Sequence, residues 1–184
     1  MLPLFYNPIY TEGIDPAARF PRERYRLLYD RLKGHPLIEF RSPRLATRSE
    51  LELGHCPEYV DQFLTGTLAP DAIRRIGLRP WNDSIIERTL QITGGSLQAL
   101  EHVLEHGELA GNMAGGTHHA YRDFGSGYCI FNDIALCAIK ALEHTKVERV
   151  LILDLDVHQG DGTAAICAYY PNICLLYTSD AADD

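Results

Sequence analysis

An α/β fold, with a parallel sheet covered on both faces by helices, is predicted by three features of this 184-residue sequence. Short apolar runs alternate with segments whose apolar residues recur at helical spacing. The run from Arg149 to Leu155 is rich in leucine and β-branched residues, as in a central parallel strand. Beyond it a helix and another apolar run continue the alternation that parallel crossovers require. The length suits one domain with a substantial core.

The elements follow in order. Leu2 to Tyr6, ended by Asn7-Pro8, reads as a first buried strand. After Pro21, the apolar positions Tyr25, Leu28, Tyr29 and Leu32 mark a helix that Gly34 ends. Leu37 to Phe40 is a second strand. Short helices begin at Ser49, Pro57 and Pro70, and Gly77 to Trp81 is a loop. Asp83 can cap a long helix carrying Ile85, Ile86, Leu90, Leu97, Leu100 and Leu104, closed by Gly107; Gly94-Gly95 in its middle implies close packing. Leu109 to Gly116 is small and apolar and runs into a Gly, His, Arg and Tyr loop that reaches Tyr128. Asn132-Asp133 leads a helix through Leu142. Arg149 to Leu155, a helix over Thr163 to Tyr170 and a strand over Ile173 to Leu176 complete the series.

The bulk properties exclude some functions. Hydrophobic residues make up 46% and charged residues 23%, which suits a packed globular chain. A net charge of −8 gives no basic footprint for direct nucleic-acid binding, although Asp180, Asp183 and Asp184 contribute to it from the terminal tail. The five cysteines form no C-x-x-C pair, so they read as reduced, buried thiols. Without a signal segment or a long apolar span, the expectation is a cytoplasmic protein with no membrane partner.

Chemistry concentrates in two places. In Leu151-Ile-Leu-Asp-Leu-Asp-Val-His-Gln-Gly-Asp-Gly162, the residues Asp154, Asp156 and His158 alternate, and period-two spacing puts them on one face of a strand end. A carboxylate and an imidazole both suit zinc. A lone D-x-D is more often a solvated rim, but burying two carboxylates at the end of so apolar a strand is costly without a metal or partners. The second place is Gly115-Gly-Thr-His118-His119-Ala, followed by Gly127-Tyr-Cys-Ile-Phe-Asn-Asp133. Tandem imidazoles in a glycine-rich loop suit proton transfer, and Asp154 and Asp161 are available to set their tautomers. A His-His pair is by itself more often surface or packing than chemistry, and that reading is preferred for His35, His55, His102, His106 and His144, expected in loops or on polar helix faces.

GGTHHA, GYCIFND and LILDLDVHQGDGT, in this order, resemble three signature blocks of the histone deacetylase superfamily, which also contains acetoin-utilization proteins and acetylpolyamine amidohydrolases. The resemblance covers roughly positions 2 to 176, and RFPRERYRLL, HCPEYV and GLRPW look most like the bacterial branch near class IV. It implies a three-layer arginase/deacetylase-like fold and hydrolysis of acetyl-lysine or a related acylated amine. It further implies that Asp156 and His158 bind one catalytic Zn2+, that His119 is general base and then acid, and that His118 assists electrostatically. Asp154 would orient His118 and Asp161 would orient His119. Gly127 would offer its carbonyl to the substrate amide, Tyr128 would form a tunnel wall, and a structural K+ would sit on carbonyls of the Asp154 to His158 strand end.

The family also uses a third zinc ligand, an aspartate, and an oxyanion-donating tyrosine, both from a C-terminal half that has no counterpart in these residues. The expectation is therefore a truncated deacetylase domain over 1–176, inactive or weak, with an unmatched, disordered and extraneous tail over 177–184. Two other readings compete. A manganese hydrolase like arginase favours an Asp-x-His-x-Asp order, whereas this chain has Asp156-x-His158-x-x-Asp161. A non-catalytic homologue would bind only a partner or an acyl ligand.

Overall fold

The computed structural model describes residues 1–177, so all but the first residue of the tail expected over 177–184 lies outside the described residues. Strand β1 (Leu2–Phe5) leads to a single turn, α1 (Ile9–Glu12), and then to α2 (Glu23–Leu32), which Gly34 leaves with φ +81°. Strand β2 (Ile38–Arg41) precedes three short helices, α3 (Arg48–Leu51), α4 (Pro57–Leu64) and α5 (Pro70–Ile76). The long helix α6 (Ser84–His106) ends on left-handed Gly107, and β3 (Gly111–Asn112) follows. Helix α7 (Asp133–Leu142), β4 (Val150–Asp154), α8 (Asp161–Cys167) and β5 (Ile173–Tyr177) close the described chain. Tyr177 thus belongs to the last strand, one residue past the boundary expected for the domain.

The strands are parallel and the helices flank them, as the alternation predicts. Among the described residues they form two small, open sheets, ordered β2-β1-β3 and β4-β5. The both-face burial expected of β4 is only half met. Ile152 is buried against α7 and α8 and Asp154 against His118, whereas Leu151 and Leu153 are 65% and 55% exposed.

Packing explains the local choices. Helix α7 joins two apolar clusters, one with Leu51, Val60, Phe63, Ile85 and Phe131, the other with Ile152, Ile166 and Ile173. Gly94 and Gly95 lie in α6 where any side chain would collide, Gly94 with the Arg44 carbonyl and Gly95 with the Tyr10 hydroxyl and Asn112. Two start signals differ from expectation. Asp83 sits at the N-cap of α6 but accepts no capping hydrogen bond, because its own backbone is already helical. Helix α3 instead starts from a reciprocal Thr47–Glu50 capping box. Asn132 caps α7 as predicted, accepting from the Ala135 N–H.

Candidate active site

The two chemical segments meet at the carboxyl end of β4. The tandem histidines sit on the loop before α7, held there by a buried polar frame. Asp133, 3% exposed, accepts hydrogen bonds from the Thr117 N–H and hydroxyl at 2.9 and 2.6 Å and from the Ser96 hydroxyl at 2.5 Å. Gly115 permits this close approach: a Cβ there would collide with the Asp133 carboxylate. Asn132 reaches back to the Ala120 carbonyl at 3.0 Å and to the Thr163 hydroxyl at 3.0 Å, tying the loop to α8.

Each tandem histidine has its carboxylate. His118 Nδ1 lies 2.7 Å from Asp154 Oδ2, and His119 Nδ1 lies 2.8 Å from Asp161 Oδ1. An ionised carboxylate only accepts, so in both pairs Nδ1 carries the proton and Nε2 is left as the basic nitrogen. The pairs differ in burial. The side chains of His118 and Asp154 are 6% and 8% exposed, those of His119 and Asp161 22% and 42%. Burial raises the Asp161 pKa, but the bonds it accepts from His119, the Gly162 N–H and Tyr121 together outweigh that and hold it below the usual value.

Asp156 and His158 reach the same place by another route than the one expected. The strand stops at Asp154, so period-two alternation does not extend to them. Two consecutive turns carry the chain instead: Asp154 Oδ1 accepts the Asp156 N–H at 3.0 Å, and Asp156 Oδ1 accepts the His158 N–H at 2.7 Å. Only Asp154 is buried; the Asp156 and His158 side chains are 51% and 71% exposed, so burial of two carboxylates is no argument for a metal here. The Asp156 pKa is lowered, chiefly by the His158 N–H and against a partial burial that opposes it.

A cavity of roughly 450 Å³ is lined by His118, His119, Asp156 and His158, and also by Gly127 and Tyr128. All the expected metal and substrate residues therefore meet on one space, and the His119 and His158 rings lie 6.0 Å apart. For a metal, the donor types fit but their number is short. Zinc takes four ligands, and among the described residues no three His, Cys, Asp or Glu side chains are grouped to hold an ion. Asp156 and His158 bond to each other, His158 Nδ1 lying 2.8 Å from Asp156 Oδ1.

Gly127 and Tyr128 both adopt left-handed backbone, φ +53° and +68°. A Cβ on Gly127 would come within 2.7 Å of the His119 ring, so glycine is what lets this loop lie against the histidine. The Tyr128 N–H donates to the Ile76 carbonyl at 2.7 Å and its ring packs edge-on against Phe20 at 5.3 Å, which makes Phe20 a second wall of the cavity. Cys129 also lines the cavity, but burial pushes its thiol up to about 12, so it is a neutral filler and no nucleophile.

His55, read from the sequence as surface or packing, proves to be packing. It is fully buried, and its Nε2 accepts the Asn132 N–H at 2.9 Å, so its Nδ1–H donates to the Tyr121 carbonyl at 2.9 Å. It clamps both ends of the histidine loop. Nothing local marks that role, since its partners lie 66 and 77 residues away.

Comparison with known proteins agrees with this arrangement. The family model described as histone deacetylase domain matches residues 18–179. An uncharacterized protein of Picosynechococcus sp. is 45% identical over 174 residues, 93% of this chain and 57% of that protein. Acetoin utilization protein AcuC of Bacillus subtilis is 32% identical over 183 residues, covering 93% of this chain and 47% of its own length. Histone deacetylase clr6 of Schizosaccharomyces pombe is 33% identical over 161 residues, 80% of this chain and 39% of that protein. The chain spans about half the length of the curated relatives it matches. Two histidine–aspartate pairs beside an Asp-x-His turn, on a chain matched over most of its length, have one common explanation: this protein belongs to the histone deacetylase family.

Proposed function

We propose that the chain carries the proton-transfer and acyl-binding half of a zinc-dependent deacetylase acting on acetyl-lysine or a related acylated amine. The observation that carries this reading is the pair of Nδ1-anchored histidines, at 2.7 and 2.8 Å from their carboxylates, sharing one cavity with Asp156 and His158. His119 is the more accessible and is assigned the proton itself, taken at Nε2 from the attacking water and given to the leaving amine. Asp161 stabilises the imidazolium that forms. His118, more deeply buried and held by Asp154, adds electrostatic support and keeps the ring beside it oriented.

Asp156 and His158 would hold the zinc ion, their mutual hydrogen bond exchanged for coordination. When bound, zinc supplies Lewis acidity toward the amide carbonyl and water. The Gly127 carbonyl would accept the substrate amide N–H, and Tyr128 with Phe20 would flank the acyl-amine stem. The same reading assigns a structural potassium ion to carbonyls of residues 154–158.

Zinc titration followed through the imidazole NMR signals tests this. One ion per chain is expected, bound weakly because the described residues offer only two ligands and shifting His158 first, with an acetyl-lysine peptide then perturbing His119 and Tyr128. Turnover of that peptide by the zinc-loaded chain should be little or none. Binding of two ions would favour an arginase-like centre, and unmoved histidine signals would end the deacetylase assignment.

A further inference from the structure

The same cavity has a wall that the hydrolytic reading leaves unused. Helix α2 and the segment before it contribute Phe20, Arg24 and Tyr25, and α6 contributes Arg88. Arg88 is 5% exposed. Its Nε donates to the Tyr10 carbonyl at 2.9 Å and one terminal nitrogen reaches the Tyr25 hydroxyl at 3.4 Å. Arg24 donates to that same hydroxyl at 3.0 Å, with its guanidinium 4.8 Å from the Phe20 ring centre and 4.9 Å from that of Tyr25. Two guanidiniums therefore flank one phenol on the lining of a cavity.

Neither has a counter-ion among the described residues. Arg22, Arg26, Arg41, Arg44 and Arg48 each pair with an acid, but among the described residues Arg24 and Arg88 form no ion pair. The leading side chains acting on Arg88 are Tyr25, Arg24 and Tyr10, none of them a carboxylate. A buried, uncompensated cation is unfavourable in the folded chain, and in a chain of net charge −8 an acidic partner could readily have been supplied. A buried guanidinium on a cavity wall, with a second, exposed one beside it, matches a carboxylate from a ligand.

We propose that Arg24 and Arg88 form a carboxylate-binding subsite of this cavity, taking the distal carboxylate of an acyl group that has one, such as a succinyl or glutaryl amide of lysine. This rests on the acylated-amine reading of the site for its substrate, and adds the acyl class that the site prefers. Tyr25 spaces the two guanidiniums, and Phe20, stacked with Tyr25, continues the apolar wall from the stem toward them.

Binding, read without turnover, tests it. A succinyl-lysine peptide should bind the intact chain about ten-fold more tightly than the matching acetyl-lysine peptide, and Arg24→Gln should erase that difference. Arg24 is exposed, so its replacement leaves the fold in place; Arg88→Lys keeps the buried charge and should weaken the preference only in part. Free succinate, followed by NMR at Tyr25, gives an arm that needs no peptide. Equal affinity for the two peptides, unchanged in Arg24→Gln, overturns the subsite and leaves the deacetylase reading standing. Arginine-dependent succinate binding with neither peptide bound keeps an anion site but removes the acylated-amine reading and, with it, the acyl preference. No binding in any arm overturns both.

Discussion

His118 and His119 are adjacent in the chain, yet their surroundings separate their roles. The His118–Asp154 pair is nearly dry, so removing its charge leaves a donor and an acceptor mismatched in the interior. Asp154→Asn should destabilise the fold by about 1–3 kcal/mol, whereas Asp161→Asn, at a half-exposed carboxylate, should cost less than about 1 kcal/mol. Urea denaturation of the two variants distinguishes them, and equal losses would contradict the burial difference. The tandem histidines and the acidic cluster were legible from residue type, whereas the pairing of His118 with Asp154 and of His119 with Asp161 came only from the family resemblance. His55, Phe20, Arg24 and Arg88 were not singled out, because each acquires its role from partners far along the chain.

Helix α6 shows how an element can oppose its own propensity. Gly94 and Gly95 weaken it, yet they admit the Arg44 backbone and the Tyr10–Asn112 pair. Gly94→Ala gains about 1 kcal/mol of helix propensity but meets the Arg44 carbonyl, a backbone atom that cannot swing aside; the net change should be a loss of about 1–3 kcal/mol. Thermal unfolding measures it, and a stabilised variant would contradict the packing. The capping box of α3 makes a pH prediction. Burial raises the Glu50 pKa, but Arg44 and Thr47 more than compensate and bring it from 4.5 to about 2. A folded pKa below the unfolded one means the stabilisation is complete above about pH 4.5 and is lost as the pH falls toward 2. Glu50→Gln should remove about 1–2 kcal/mol at pH 7 and flatten that part of the acid limb of a urea-midpoint titration.

His55 couples the histidine loop to the stability of the fold as a whole. Burial holds its pKa at about 4 against an ordinary 6.5, so it stays neutral when folded while the unfolded chain takes up a proton. Stability is unaffected by this group above pH 6.5 and falls as the pH drops from 6.5 toward 4, by up to about 3 kcal/mol. His55→Asn should be less stable at pH 7 and lack this slope between pH 6.5 and 4; equilibrium unfolding at several pH values decides it.

Element type and order, the parallel α/β class and the chemical residues near β4 followed from periodicity, turn residues and spacing, because each is a property of a few neighbouring positions. No described helix is long and apolar enough to cross a membrane, in line with the absence of long apolar runs. What the chain order could not convey is how distant segments meet. Among the described residues two short sheets stand where one was expected, Asp156 and His158 arrive on turns after the strand has ended, a buried histidine clamps the loop, and two arginines without an ion pair line the cavity. Burial and pairing of this kind arise from contacts between residues tens of positions apart, and the local signals that specify a helix or a strand carry no record of them.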